Sequence, residues 1–300
     1  MLGRIRGNEA FKESVQAALQ AGRLSNSVLL CAEEGCGAGF AARCLAADFL
    51  FPEGGAAAEA VLAGRSSECI EVRGQGQRGE ILVGQARQVR SLVYETALSA
   101  AGRAVIFYGA HRMNPSAANA LLKVLEEPPA GVLFILTAPS AAAVLATIRS
   151  RCVSFAVAPV SPEQCARYCA AQGVDKKTAA LYSELFDGHI GTVLAAAQDE
   201  ARTAQVEKAL QLAKAAADRD SYAAACLLAA YEKDKAGAAA LLTDFRAVAA
   251  AGLRQSPHAP VQGIAAQRAL RLADAAIQHL GAQVNPKIVL SVFAAKFRAL

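Results

Sequence analysis

Five short apolar runs limit most what this chain can fold into: Ser27–Cys31, Cys69–Val72, Ala104–Tyr108, Val132–Thr137 and Val153–Val157. Each has the length of one strand. Several are apolar on both faces, which suits a parallel sheet covered by helices on each side. Between the runs the period becomes helical: Ala86, Val89, Leu92 and Val93 share one face, as do Ala118, Leu121, Leu122 and Leu125. The second of these helices has marked ends. Asn114 can cap it, Pro115 suits its first turn, and Pro128 and Pro129 forbid continuation after Glu127. This alternation is an α/β architecture of the kind that binds nucleotides.

After about Ala158 the strand signal ends. Pro162–Ala171, Lys176–Phe186 and Gly191–Ala197 read as short helices forming a small lid, and from about Asp199 longer amphipathic stretches run to a last helix opened by Asn285 and Pro286. The Ala-rich segment 223–251 keeps leucines and aromatics at helical intervals and reads as helix rather than linker. The expected division is therefore 1–158, an α/β domain; 159–199, a helical lid; and 200–300, an all-α domain.

A chain that is 54% hydrophobic and 19% charged has too much apolar material for disorder. A net charge of +5 is compatible with touching a phosphate backbone but selects no partner. No uninterrupted apolar stretch comes near the twenty residues of a membrane span, and the opening MLGRIRGNEAFKE lacks a signal peptide's apolar core, so a cytoplasmic location is expected. The eight cysteines include no C-x-x-C pair, so reduced thiols and no bound metal are expected. Cys165 and Cys169 lie one helical turn apart with no second close pair to complete a zinc site.

The first strand runs into Ala32-Glu33-Glu34-Gly35-Cys36-Gly37-Ala38-Gly39, the strand-loop-helix context of a phosphate-binding loop. A working G-x-x-x-x-G-K-[ST] loop needs a lysine on the β- and γ-phosphates and a hydroxyl on magnesium. Here those places hold Ala38 and Gly39, Ala32 replaces the leading glycine, and Glu33 and Glu34 add negative charge. The third strand gives an independent test. A hydrolytic site carries acids at that strand's end, where this chain has Tyr108, Gly109, Ala110 and His111. Both losses argue against nucleotide binding and ATP hydrolysis, leaving at most a weak anion site on helix N-terminal amides. His111 reads as a polar loop residue. A second glycine pattern, Gly74-Gln75-Gly76-Gln77-Arg78-Gly79, is formally G-x-G-x-x-G with Glu95 downstream. It follows the wrong strand, and Glu95 falls in a helical pattern, so it reads as a surface loop.

The string Asn119-Ala120-Leu121-Leu122-Lys123, continued by Leu125-Glu126-Glu127-Pro128-Pro129, and then Thr147-Ile148-Arg149-Ser150-Arg151-Cys152, closely resembles subunits of the clamp-loader AAA+ family. The likeness extends to Ile5-Arg6-Gly7-Asn8-Glu9 and to Asn285-Pro286. The missing lysine and acids resemble the bacterial delta-prime branch rather than the hydrolysing gamma/tau branch. The resemblance implies an AAA+ P-loop-type sheet domain with a small lid and a C-terminal collar that assembles with delta and gamma/tau. It also implies a stator role in placing a sliding clamp on primed DNA within a DNA polymerase holoenzyme. Arg151 matches the family's arginine that enters a neighbour's nucleotide site, with Ser150 and Cys152 shaping the turn; the plainer alternative is a surface arginine in an ion pair. Two departures follow from the same comparison. The segment 51–67 lacks the four cysteines of the family's zinc module, and Gly191, in Gly188-His189-Ile190-Gly191-Thr192, stands where motor subunits carry a nucleotide-sensing arginine. Neither ATP nor zinc is therefore expected as a cofactor. A motor ATPase with an unconventional site is the competing reading.

Overall fold

The computed structural model describes residues 1–76, 79–94 and 102–300, in two compact units, Met1–Val160 and Ser161–Leu300. In the first unit, strands β1 (Ser27–Cys31), β2 (Cys69–Arg73), β3 (Arg103–Tyr108), β4 (Val132–Ala138) and β5 (Val153–Ala156) form one sheet in the order β2-β3-β4-β1-β5. Every pairing is parallel, so each connection must cross over the sheet, and helices supply the crossovers. The crossover helices are α2 (Ala38–Leu50), α3 (Gly55–Leu62), α4 (Val83–Leu92), α5 (Pro115–Glu126) and the single turn α6 (Ala146–Arg149), while α1 (Glu9–Gln20) precedes the first strand.

Period-two alternation divides the strand residues between two cores. Val28, Leu30, Ile106 and Ile135 pack with Phe11 and Val15 of α1, Leu45 of α2 and Val61 of α3. Leu29, Val105, Phe107 and Phe134 pack on the other face with Val89 of α4 and Leu121 and Leu125 of α5. β4 is buried along its whole length, whereas β5, at the sheet's edge, is largely exposed.

The ends of α5 fall where the sequence puts them. The Asn114 side chain accepts from the Ala117 amide at 2.8 Å, Pro115 is the first helical residue, and Glu127 ahead of Pro128 leaves the helical region at φ −126°. Helix α3 was not expected; its Gly-Ala-Ala-Ala-Glu-Ala-Val-Leu sequence has almost no polar face to mark a period.

The second unit is all helix: α7 (Pro162–Ala171), α8 (Lys176–Leu185), α9 (Ile190–Gln198), α10 (Glu200–Ala217), α11 (Ser221–Ala229), α12 (Lys235–Leu253), α13 (Gly263–Gly281) and α14 (Pro286–Ala295). Asp175, Asp199, Asp220 and Asp234 cap α8, α10, α11 and α12 by accepting first-turn amides. The segments read as lid and collar both lie in this unit. Arg254, after α12, donates to the Glu184 and Leu185 carbonyls at the end of α8, at 3.0 and 3.4 Å. Phe245 of α12 packs against Phe293 and Phe297, with ring centroids 5.4 and 6.0 Å away, and fixes the chain's last turns.

Among the described residues, α12 has the length and apolar character to cross a membrane, with mean hydropathy 1.3, a stretch not singled out from the sequence. Half of it is buried within the unit, and its centre carries Asp244. That carboxylate, 2% exposed, is gripped by both terminal nitrogens of Arg202 and by Gln205 at 2.8 Å. α12 has the contacts of a core helix.

Candidate functional site: the loop after the first strand and the Ser-Arg-Cys turn

At the carboxyl end of β1, the Ala32 amide still bonds the Ala138 carbonyl at 2.9 Å, then the chain turns into α2. Gly35 and Gly37 both take φ of 88°, a left-handed conformation that favours glycine, and Ala38 begins the helix. This is the strand-loop-helix frame at the sheet edge where α/β proteins bind ligands. The side chains do not fit a magnesium–triphosphate group. Ala38 offers no ammonium and Gly39 no hydroxyl, and a Cβ on Gly39 would stand 3.1 Å from Cε1 of Tyr108. The tyrosine ring thus lies against the position of the metal-binding hydroxyl. Glu33 and Glu34 are exposed on the turn.

A network that the sequence reading missed holds Tyr108. The pairing of β2 with β3 sets Arg73 opposite Tyr108, and the Arg73 guanidinium carbon lies 3.9 Å from the ring centroid. Glu71, two residues earlier and so on the same strand face, accepts from Arg43 of α2 at 2.6 and 2.8 Å and from Arg73 at 3.3 Å. The Tyr108 hydroxyl is buried beside this pair without a well-formed hydrogen bond. Burial, and after it the charge of Glu71, pushes the phenol up to about 12. Burial also opposes the charge on Glu71, yet the hydrogen bonds and charge of Arg43 outweigh it and hold that carboxyl below its ordinary value. The signal available in sequence was Glu-x-Arg on a strand destined to lie beside Tyr108.

Gly109 follows in the left-handed region, φ 82°, and its amide donates to Thr137 of β4 at 3.0 Å. His111 has a buried Nδ1 without a hydrogen-bond partner; burial and then Arg112 lower its pKa, against Glu34. The glycine-rich stretch after β2 closes on itself. Gln75 and Glu80 exchange backbone hydrogen bonds at 2.8 and 3.1 Å, and a Cβ on Gly74 would stand 1.8 Å from the Gly79 carbonyl oxygen. Gly74 is therefore required by close backbone approach. Gln77, Arg78 and Glu95 lie outside the described residues.

The Ser-Arg-Cys turn lies at the opposite end of β1. β5 begins at Val153, in register with Val28, and Arg151, just ahead of it, lines a cleft of about 540 Å³ with Asn26 and Ser27. Its guanidinium donates to Glu126 Oε2 from Nε at 3.2 Å and Nη2 at 3.0 Å, and from Nη1 to the Thr147 carbonyl at 3.0 Å and Ser150 Oγ at 3.3 Å. The side chain keeps 29% of its surface exposed, against 59% for Glu126. Arg151 is thus a surface arginine in an ion pair at the mouth of a polar cleft. Ser150 also donates to the Thr147 carbonyl at 3.3 Å, and Cys152 packs on the sheet core, where burial pushes its thiol up to about 12. These two residues shape the turn.

In the second unit, Gly188 takes φ of 72°, His189 Nδ1 is 2.6 Å from the Phe186 carbonyl oxygen, and Gly191 is exposed in the first turn of α9. The sulfurs of Cys165 and Cys169 are 4.0 Å apart and buried; burial leads the rise of both thiols, that of Cys169 to about 12.

A family model described as DNA polymerase III, delta subunit, matches residues 7–161, just over half of the chain. The chain is 35% identical over 158 residues to DNA polymerase III subunit delta' of Escherichia coli K12, covering 52% of this chain and 46% of that protein. It is 45% identical over 73 residues to the delta' subunit of Haemophilus influenzae, covering 24% and 22%. It is 29% identical over 182 residues to the gamma/tau subunit of Mycobacterium bovis, covering 56% and 31%. The matched stretches therefore span less than half the length of these relatives. In fold it resembles a DNA polymerase III gamma subunit-related protein of Thermotoga maritima, with TM-score 0.56, 19% identity, and 95% and 98% of the two chains covered. The parallel sheet, the family model over half of the chain and these relatives agree: the chain belongs to the DNA polymerase III delta subunit family and is delta-prime-like in sequence.

Proposed function

We propose that this chain is the non-hydrolysing stator of a clamp loader, assembling with gamma/tau and delta subunits to place the sliding clamp on primed DNA and lending Arg151 to a neighbouring subunit's nucleotide site. The observation that carries the reading is the packing of Tyr108 over Gly39, in place of the lysine, hydroxyl and acids that a triphosphate and its magnesium need. Arg151 keeps a partly exposed guanidinium, permanently charged and forked, suited to charge developing on a γ-phosphate. Its pairing with a single exposed carboxylate is weak enough to be exchanged for another anion.

The 182-residue likeness to gamma/tau favours a second reading, a motor ATPase with an unconventional site. Titration of the full chain with MgATP separates the two. The stator shows neither saturable micromolar binding nor steady hydrolysis; micromolar binding with turnover establishes the motor. Reconstitution with gamma/tau and delta tests the partners, and failure to assemble removes the stator reading.

A further inference from the structure

The Leu-Glu-Glu-Pro-Pro and Ser-Arg-Cys segments meet through one ion pair. Nε and Nη2 of Arg151 both donate to Oε2 of Glu126, at 3.2 and 3.0 Å. Those nitrogens form the guanidinium edge that grips a carboxylate or phosphate in fork geometry. An anion of the same chain thus already occupies it. Nη1 is held separately, by the Thr147 carbonyl and the Ser150 hydroxyl at 3.0 and 3.3 Å. The guanidinium therefore keeps two anchors when the carboxylate leaves. Glu126 is the last residue of α5, where the negative end of the helix dipole disfavours a carboxylate, and Arg151 offsets that cost. The pair borders the cleft of about 540 Å³, lined also by Asn26, Ser27 and Pro128, with room for a phosphate group entering from outside.

We propose that Glu126 is a positioning residue for Arg151: it occupies the guanidinium edge as an internal anion until a phosphate of nucleotide held by a neighbouring subunit displaces it. The inference rests on Arg151 acting in trans. The exchange forms and breaks no covalent bond; one anion replaces another on a fixed cation.

The test compares loaders reconstituted from gamma/tau, delta and this full chain as wild type, Glu126→Gln, Arg151→Ala and the double variant. Glu126→Gln removes the charge and keeps the shape. Its expected effect is a rise of about two- to five-fold in kcat/KM for ATP, the range set by loss of an exposed ion pair. The ratio to wild type falls toward one as ionic strength rises from about 0.05 to 0.5 M, because salt already weakens the wild-type pair. In the Arg151→Ala background the glutamine has no effect. A lowered or unchanged rate for Glu126→Gln overturns the proposal, as does a gain that persists without Arg151. Should Glu126→Gln impair assembly, Glu126→Ala at the same exposed position is read by the same criteria. If Arg151→Ala alone leaves the rate unchanged, the trans reading itself fails, an outcome distinct from failure of Glu126 alone.

Discussion

Tyr108 stands with its ring edge 3.1 Å from the point where a Cβ would sit on Gly39, beneath the Arg73 guanidinium, so a side chain at position 39 has to push the ring aside by a few tenths of an ångström. Gly39→Ser is expected to lower stability by about 1–3 kcal/mol through overpacking, measured by urea denaturation. The same change in a Tyr108→Ala background should cost distinctly less; equal costs in the two backgrounds would remove the tyrosine from the account. Arg151 is the opposite case. Its bonds lie at the surface, so Arg151→Ala should change the denaturation midpoint little while lowering the DNA-stimulated ATPase of the reconstituted loader, by up to about 10³-fold. An unchanged ATPase removes Arg151 from catalysis.

Helices announced themselves where their ends carry chemistry. Asn114, Pro115 and the Pro128-Pro129 pair made α5 legible to within a residue, and with it the position of Glu126. Helix α3 lacked such marks, and β2 runs one residue further than its apolar run because Arg73 is a strand residue by pairing, not by hydropathy. The Arg43–Glu71–Tyr108 network was illegible for a related reason. It depends on β2 lying beside β3, a neighbourhood set by sheet order and carried by no local pattern. α12 shows the same limit, since Asp244 finds Arg202 at a separation of 42 residues. Removing that carboxylate strands a partly buried guanidinium and the Gln205 amide. Asp244→Ala should cost about 2–3 kcal/mol, below the 3–5 typical of a fully buried pair because Arg202 keeps 29% of its surface exposed. Denaturant midpoints measure this, and a change under about 0.5 kcal/mol, that of an ordinary surface substitution, would show the pair to be idle.

Across the whole molecule, buried protonated groups set an alkaline boundary. Burial pushes the thiols of Cys44, Cys69, Cys152 and Cys169, and the phenol of Tyr108, up to about 12. Folded chains hold these protons more tightly than unfolded ones. The stability they contribute is therefore complete below the unfolded values of 9.0 for a thiol and 10.0 for a tyrosine, and is lost as pH rises toward about 12. Under reducing conditions the urea midpoint should fall steadily from pH 9 upward, and a flat midpoint to pH 11 would contradict the buried, protonated assignment. The two sites on the sheet domain also differ in place. The glycine loop follows β1 and the Ser-Arg-Cys turn adjoins its start, so a strand of five residues, about 17 Å long, separates them. In the proposed assembly such a subunit can give at one pole but cannot receive at the other. On that proposal it would be a terminus: a row of nucleotide-binding neighbours would be closed by it on one side, and the direction of the row would be written into a single molecule.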